Sequence, residues 1–156
     1  MSISPATRAL DQAGVPYVLR HYEHHADGLP YGEEAVRETG LPAEIVVKSL
    51  VVAAGPALVF ALVPVSARLN LKALARAVGQ KKARLAEPTD AERATGYIMG
   101  GITPLGSRTP LDVVIDDSVR GRESVVVSAG RRGMNVELSP TDLAQLTGAR
   151  FAPITG

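Results

Sequence analysis

Lys48 is the residue whose type and setting most suggest chemistry. Thirteen of the seventeen basic residues are arginines, and three of the four lysines, Lys72, Lys81 and Lys82, lie in one basic stretch. Lys48 stands apart, inside the apolar run Val46-Val47-Lys48-Ser49-Leu50-Val51-Val52. In a strand it shares a face with Val46, Leu50 and Val52. An ammonium on such a face is costly unless it reaches water or a partner. Two readings stand. The side chain snorkels out at the strand end, or it enters a pocket and holds an anionic or ester-bearing ligand.

Gly100-Gly101, followed by Ile102-Thr103-Pro104-Leu105-Gly106, is the second candidate. Paired glycines let a backbone approach a ligand and present its N–H groups, and Pro104 stiffens the far side. Such a loop either steadies an ester oxyanion or merely connects two elements. It is no Walker loop, because no Gly-Lys-Ser/Thr follows. Ser128-Ala129-Gly130-Arg131-Arg132-Gly133 lacks the Gly-x-Ser-x-Gly nucleophile pattern. Its arginines meet phosphates or decorate a solvated hairpin tip. From Ser66 to Ala86 stand Arg68, Lys72, Arg76, Lys81, Lys82 and Arg84, with no acidic residue. That run either solvates a face or binds phosphate locally. His21, His24 and His25 show no metal-ligand spacing, so neither a metal nor a cofactor is expected.

The elements that must position these groups are marked by caps and punctuation. Ser4-Pro5 opens a helix with Ala6, Ala9, Leu10 and Ala13 on one face, stopped by Gly14. Tyr17 to Tyr22 reads as a strand and Glu33 to Thr39 as a short helix. Ile45 to Ala54 and Ala57 to Val63 flank Gly55-Pro56, a hairpin pattern. Asn70 caps a helix that Gly79 ends; Lys82 to Leu85 is a short strand, and a helix runs from Pro88 through Ala94. Tyr97 to Met99, Leu111 to Ile115, Ser124 to Val127 and Met134 to Leu138 are expected strands. A helix after Ser139-Pro140 and an edge strand over Arg150 to Ile154 complete the pattern. Strands joined by short turns predict a mixed sheet with helices around it.

Composition narrows the class. The chain has 156 residues, a length that suits one domain, and 46% are hydrophobic, enough for a core. The net charge of +1 excludes bulk coating of nucleic acid, so an anionic partner must be met locally. The absence of cysteine removes disulfides, thiolate metal sites and a cysteine nucleophile, and fits a reducing compartment. No signal-peptide pattern and no membrane-length apolar run occur, so a cytoplasmic protein is expected. Scarce aromatics argue against a single-strand stacking platform.

Seven stretches in order carry a resemblance over nearly the whole chain: Tyr22-Glu23-His24, Val47-Lys48-Ser49-Leu50, Leu62-Val63-Pro64-Val65, Leu69-Asn70-Leu71-Lys72, Ala94-Thr95-Gly96-Tyr97, Gly100 to Gly106, and Ser128 to Gly133 with Glu137-Leu138. The chain resembles the YbaK/EbsC family of aminoacyl-tRNA deacylases, relatives of the editing domain of bacterial prolyl-tRNA synthetases, and most of all their Cys-tRNA(Pro) deacylase branch. The resemblance implies an α+β (mixed α/β) single domain over 1–156, whose curled mixed β-sheet forms an open barrel-like core with flanking helices. It implies a substrate that is the 3′ aminoacyl ester of mischarged tRNA, cysteine on the proline tRNA first, with cysteine on its own tRNA a further substrate. Prolyl-tRNA synthetase is the implied partner in a transient complex; no membrane and no DNA are expected.

Residue by residue, the family's lysine falls on Lys48 and its glycine loop on Gly100 and Gly101, the implied catalytic set. Tyr22, Tyr31, Ser49, Ile102, Ser128, Gly130 and Asn135 form the implied substrate-binding set. Arg68, Lys72, Arg76, Lys81, Lys82, Arg131 and Arg132 are the candidate tRNA contacts. Relatives often carry Phe at Tyr31 and Thr at Ser49, and the nearest carry Asp at Asn135, so no base is assigned there. No nucleophile–base pair is evident. An aminoacyl ester is already activated, so positioning and oxyanion stabilisation can supply most of the rate. In the Cys-specific branch the substrate's own thiol is thought to attack. The rivals are a deacylase for alanine or serine, a non-catalytic tRNA- or synthetase-binding module, and a generic small-molecule binder.

Overall fold

A computed structural model describes residues 3–156. Its elements are α1 (Pro5–Ala13), β1 (Val18–His21), α2 (Tyr31–Thr39), β2 (Val47–Ala54), β3 (Ala57–Pro64), α3 (Leu71–Ala77), β4 (Ala83–Leu85), α4 (Pro88–Thr95), β5 (Asp112–Asp116), β6 (Val125–Arg131), β7 (Met134–Leu138), α5 (Pro140–Thr147) and β8 (Arg150–Ala152), with a 3₁₀ turn at Asp117–Val119. The helix ends obey their local chemistry. The Ser4 and Thr7 side chains form a reciprocal capping box on α1, and Gly14 closes it at φ 69°. Asn70 Oδ1 accepts from the Ala73 amide at 3.0 Å to start α3.

The strands make two sheets. One has the order β1-β7-β6 and is antiparallel. The other has the order β4-β2-β3-β5-β8, with β3, β5 and β8 parallel. The main core, with Phe60, Leu62, Ile115, Val127 and Val136 fully or almost fully buried, joins the sheets and takes Leu10 of α1 and Leu143 of α5. A second cluster lies on the other face of the five-stranded sheet, where Leu74 of α3 meets Val52, Val63 and Ile154. A small third cluster sets Ala35 of α2 on Val46 and Val126. Among the described residues no helix is long and apolar enough to cross a membrane.

Four expectations are corrected. The sheets do not close into a barrel-like core. They meet at one parallel bridge, Val46 with Val126, while β1, β4 and β8 remain sheet edges. Tyr97 to Met99 is not a strand. The Met99 amide donates to the Glu92 carboxylate at 2.9 Å, and the Gly101 amide turns back to Ile98, so these groups are satisfied without a ladder. Helix α2 begins at Tyr31 rather than Glu33, its first turn closed by the Glu34 amide donating to the Pro30 carbonyl at 2.9 Å. Strand β6 runs past the expected end at Val127 to Arg131, across a register shift between Ser128 and Arg131, which leaves Arg132-Gly133 as the hairpin tip.

Candidate active site

The site lies at the seam between the two sheets. Strand β4 is three residues long and pairs only with Val52–Ala54, the far half of β2. The near half of β2 therefore turns an uncovered edge toward β6. The Val46–Val126 bridge holds the two strands together there. Lys48 and Ser128 each stand two residues beyond it, and the ladder does not continue to them. The Ile45 carbonyl accepts from Val126 and the Val51 carbonyl from Ala86. By strand alternation the Ser49 backbone faces the same open edge. A cavity of about 280 Å³ fills the gap.

Lys48 lines this cavity half-buried, its Nζ 3.4 Å from the Ala67 carbonyl. No carboxylate among the described residues pairs with it. The ammonium stands at a cavity wall. The first turn of α2 roofs the site. A Cβ on Gly32 would lie 3.1 Å from Lys48 Cγ and 2.8 Å from Val65 Cγ2, so the missing side chain is what lets the helix rest on the lysine stem. Tyr31 carries the Arg132 guanidinium 5.4 Å from its ring centre, and Arg132 Nε donates to the Met99 carbonyl at 2.9 Å. Arg132 thus ties the roof to the glycine loop.

The inner wall is polar and incompletely satisfied. Ser49 Oγ and Asn135 Nδ2 are buried and have no hydrogen-bond partner, and both residues line the cavity. Asn135 is only 4% exposed. Buried polar atoms are normally paired, and the Asn135 side chain lies close enough to the Tyr22 phenol to favour its ionised form. Tyr22 lines the same cavity. Burial, opposed by Asn135 and aided by the Glu34 and Glu38 charges, raises its phenol above the ordinary value. It stays protonated and able to donate.

The structure brings together Lys48, Tyr22, Tyr31, Ser49, Gly100, Ile102, Ser128 and Asn135 around one cavity. Gly101 and Gly130 stand behind it. The Gly101 amide is spent on Ile98 and its carbonyl accepts from Gly130 at 3.0 Å. A Cβ on Gly101 would strike the Arg131 and Gly130 backbone at 2.7 Å. These two glycines pack the loop against β6 and do not line the cavity. The Gly100 amide has no partner among the described residues, and its carbonyl accepts from Ser128 Oγ at 3.4 Å. Of the candidate tRNA contacts, Arg132 stands at the rim, whereas Arg131 donates to the Ile3 carbonyl. Arg68, Lys72, Arg76, Lys81 and Lys82 are exposed and outside the cavity.

Sequence reasoning missed two residues. Gly32 left only the weak signal of a lone glycine beside a helix. Glu34 left none, yet it is fully buried. Its Oε1 lies 2.7 Å from His24 Nδ1 and its Oε2 accepts from the His25 amide at 2.7 Å. Burial pushes the Glu34 carboxyl up, but the His25 amide and the His24 ring outweigh it and leave it below its ordinary value. The His24 ring stands 5.6 Å from that of Tyr31, so this buried carboxylate steadies the loop before α2 and the roof beside it. No cluster of three metal-ligating side chains occurs among the described residues.

Comparison with known proteins agrees in both sequence and fold. Residues 29–146 match the family model described as the aminoacyl-tRNA editing domain. EbsC of Enterococcus faecalis, a candidate Cys-tRNA(Pro)/Cys-tRNA(Cys) deacylase, is 35% identical over 153 residues, covering 96% of this chain and 92% of the relative. A crystal structure of a candidate trans-editing enzyme for prolyl tRNA synthetase superposes with a TM-score of 0.82 at 30% identity, over 99% of both chains. The hypothetical protein APE2540 shares the fold, with a TM-score of 0.85 at 24% identity over 98% of this chain and 100% of that one.

Proposed function

The chain belongs to the aminoacyl-tRNA editing domain family, and on that basis we propose that its seam cavity deacylates mischarged tRNA, with cysteine on the proline tRNA as the preferred substrate. The observation that carries this reading is the Lys48 ammonium, which pairs with no carboxylate among the described residues, in a cavity walled by the buried Ser49 hydroxyl and Asn135 amide. Lys48 anchors the terminal nucleotide and the ester region as a fixed positive charge. The Gly100 amide and the open Ser49 edge of β2 supply donors for the oxyanion. Tyr22, Ser49 and Asn135 hold the aminoacyl group, and Tyr31 covers it.

No protein side chain serves as nucleophile. Water adds to the carbonyl carbon, or the substrate's own sulfur does; the C–O bond to the ribose then breaks and the ribose oxygen leaves with a proton. In the sulfur route water opens the resulting thioester. The product is free amino acid and uncharged tRNA. Editing answers a physical limit, because a synthetic site separates side chains of similar size by only about 1–3 kcal/mol. The reaction takes place in the cytoplasm, on tRNA mischarged by prolyl-tRNA synthetase, and a transient complex with that enzyme supplies the tRNA selectivity.

The test is a panel of tRNAs charged with cysteine, alanine, serine or proline, with and without prolyl-tRNA synthetase. Wild-type protein should release cysteine fastest, and Lys48→Ala should abolish turnover while remaining folded. Full turnover of Cys-tRNA by Lys48→Ala would sink the assignment. Faster release of alanine or serine would move the specificity, and binding without ester loss would make the protein a carrier.

A further inference from the structure

The basic stretch runs from the cavity rim over α3 to the edge of the five-stranded sheet, where it ends in a groove remote from the active site. It starts at the cavity rim, where Lys48 Nζ reaches the Ala67 carbonyl beside Arg68. It crosses α3, which buries Leu74 and Ala75 and leaves Lys72 and Arg76 exposed. It ends where Lys81, Lys82 and Arg84 line a groove with Gln80 and the hairpin-tip residue Gly55. All six cations are exposed, and none pairs with a carboxylate among the described residues.

A bland account is available for part of it. Strand β4 is a sheet edge, and edge strands are commonly guarded by charge. That covers Lys82 and Arg84. It does not cover Arg68, Lys72 and Arg76, which lie on a loop and a helix, nor the lack of any acidic residue from Ser66 to Ala86. A single-sign run of exposed cations that begins at the active-site rim and ends in a groove has the form of a polyanion track.

The sheet sets the length of the track. Arg84 pairs with Ala53 in β2, five residues along the strand from Lys48, or about 17 Å at strand rise. A stacked nucleic-acid strand advances about 3.4 Å per nucleotide, so the groove lies roughly five nucleotides from the ester. There the unpaired 3′ end of tRNA has given way to its paired stem. Resting on the assignment of the cavity to the tRNA ester, we propose that the Lys81-Lys82-Arg84 groove binds the phosphate backbone of that paired stem. The protein thereby favours an ester carried on a duplex over the same ester on a short single strand. Arg131, held on the Ile3 carbonyl, takes no part.

The experiment compares deacylation of a cysteinyl RNA minihelix with that of a cysteinyl single strand ending in the same four nucleotides. Wild-type protein is set against Lys81→Ala/Lys82→Ala/Arg84→Ala. The variant should lose the preference for the minihelix, through KM, and keep wild-type turnover of the short strand. If each cation neutralises one phosphate, the logarithmic salt slope for the minihelix falls by about 2.7, a factor of roughly 40 between 50 and 200 mM salt. Lys81→Arg/Lys82→Arg should retain both preference and slope, which separates charge from shape. An unchanged preference and slope in the alanine variant would overturn the proposal and leave the face to an acidic protein partner. Loss on both RNAs alike would overturn it too, as a folding effect. Absence of turnover of either RNA by wild-type protein would instead refute the reading of the cavity.

Discussion

Replacing Gly32 by alanine adds one methyl group where the roof helix meets the lysine. The new Cβ would sit 2.8 Å from Val65 Cγ2, 3.1 Å from Lys48 Cγ and 3.4 Å from Lys48 Cδ. Carbon atoms prefer about 3.5–4.0 Å, so the gap must open by most of an ångström. Gly32 does not have positive φ, so the substitution carries no backbone strain and gains up to about 1 kcal/mol of helix propensity. Overpacking costs about 1–3 kcal/mol. Net destabilisation should therefore be about 0–2 kcal/mol, and the fold survives. Activity should respond far more. Val65 is β-branched and stiff, so α2 and the lysine stem are the parts that yield. A displacement of about 1 Å in a positioning group can cost about 100-fold. Urea unfolding and kcat/KM on Cys-tRNA(Pro), measured together, separate the two effects. The added Val65→Ala change removes the closest contact and should restore most of the activity. Full activity in Gly32→Ala, or a loss that Val65→Ala leaves untouched, would refute the reasoning.

Other outcomes follow from the same geometry. Glu34→Gln should cost about 1–3 kcal/mol at neutral pH, by weakening charge-assisted bonds to His24 and His25. Because the folded carboxyl lies below its ordinary 4.5, this stability is present above pH 4.5 and lost as pH falls through the folded value. The gap between wild type and variant in urea titrations should therefore shrink in acid, and a gap that widens would contradict it. Gly101→Ala puts its Cβ against backbone at 2.7 Å and should lower both Tm and kcat/KM, since backbone cannot step aside as a side chain can. Tyr97→Phe removes the hydroxyl that donates to the Leu105 carbonyl at 2.7 Å. Burial pushes that phenol up to about 12. The variant should lose about 1–2 kcal/mol and the hydrogen-exchange protection of the 100–106 loop, a result that unchanged exchange would rule out.

Much of the architecture was legible because it is written in local chemistry. Ser4-Pro5 with Gly14, Asn70, and Ser139-Pro140 with Gly148 carry their own caps. The apolar runs around Gly55-Pro56 pair from Val47–Pro64 to Ala54–Ala57. Tyr97 to Met99 misled because β-type residues there find side-chain and turn partners instead of a neighbouring strand. Expectation of a barrel failed because closure depends on how far strands pair. The three-residue β4 and the lone Val46–Val126 bridge are not encoded in any hydrophobic period.

The sequence by itself determined most of the elements, the family and the oddity of Lys48, since residue type, spacing and motif order are properties of the chain. Tertiary structure decided what surrounds that lysine. It put Lys48 and Ser128 across an unzipped seam, set Gly32 on the lysine stem, and left Ser49 and Asn135 buried without partners. It also set Gly101 and Gly130 in packing contacts behind the cavity, and it buried Glu34 beneath the loop it steadies. These assignments depend on which atoms of distant segments come within bonding distance. That distance is set by strand pairing and close packing, which no local pattern records.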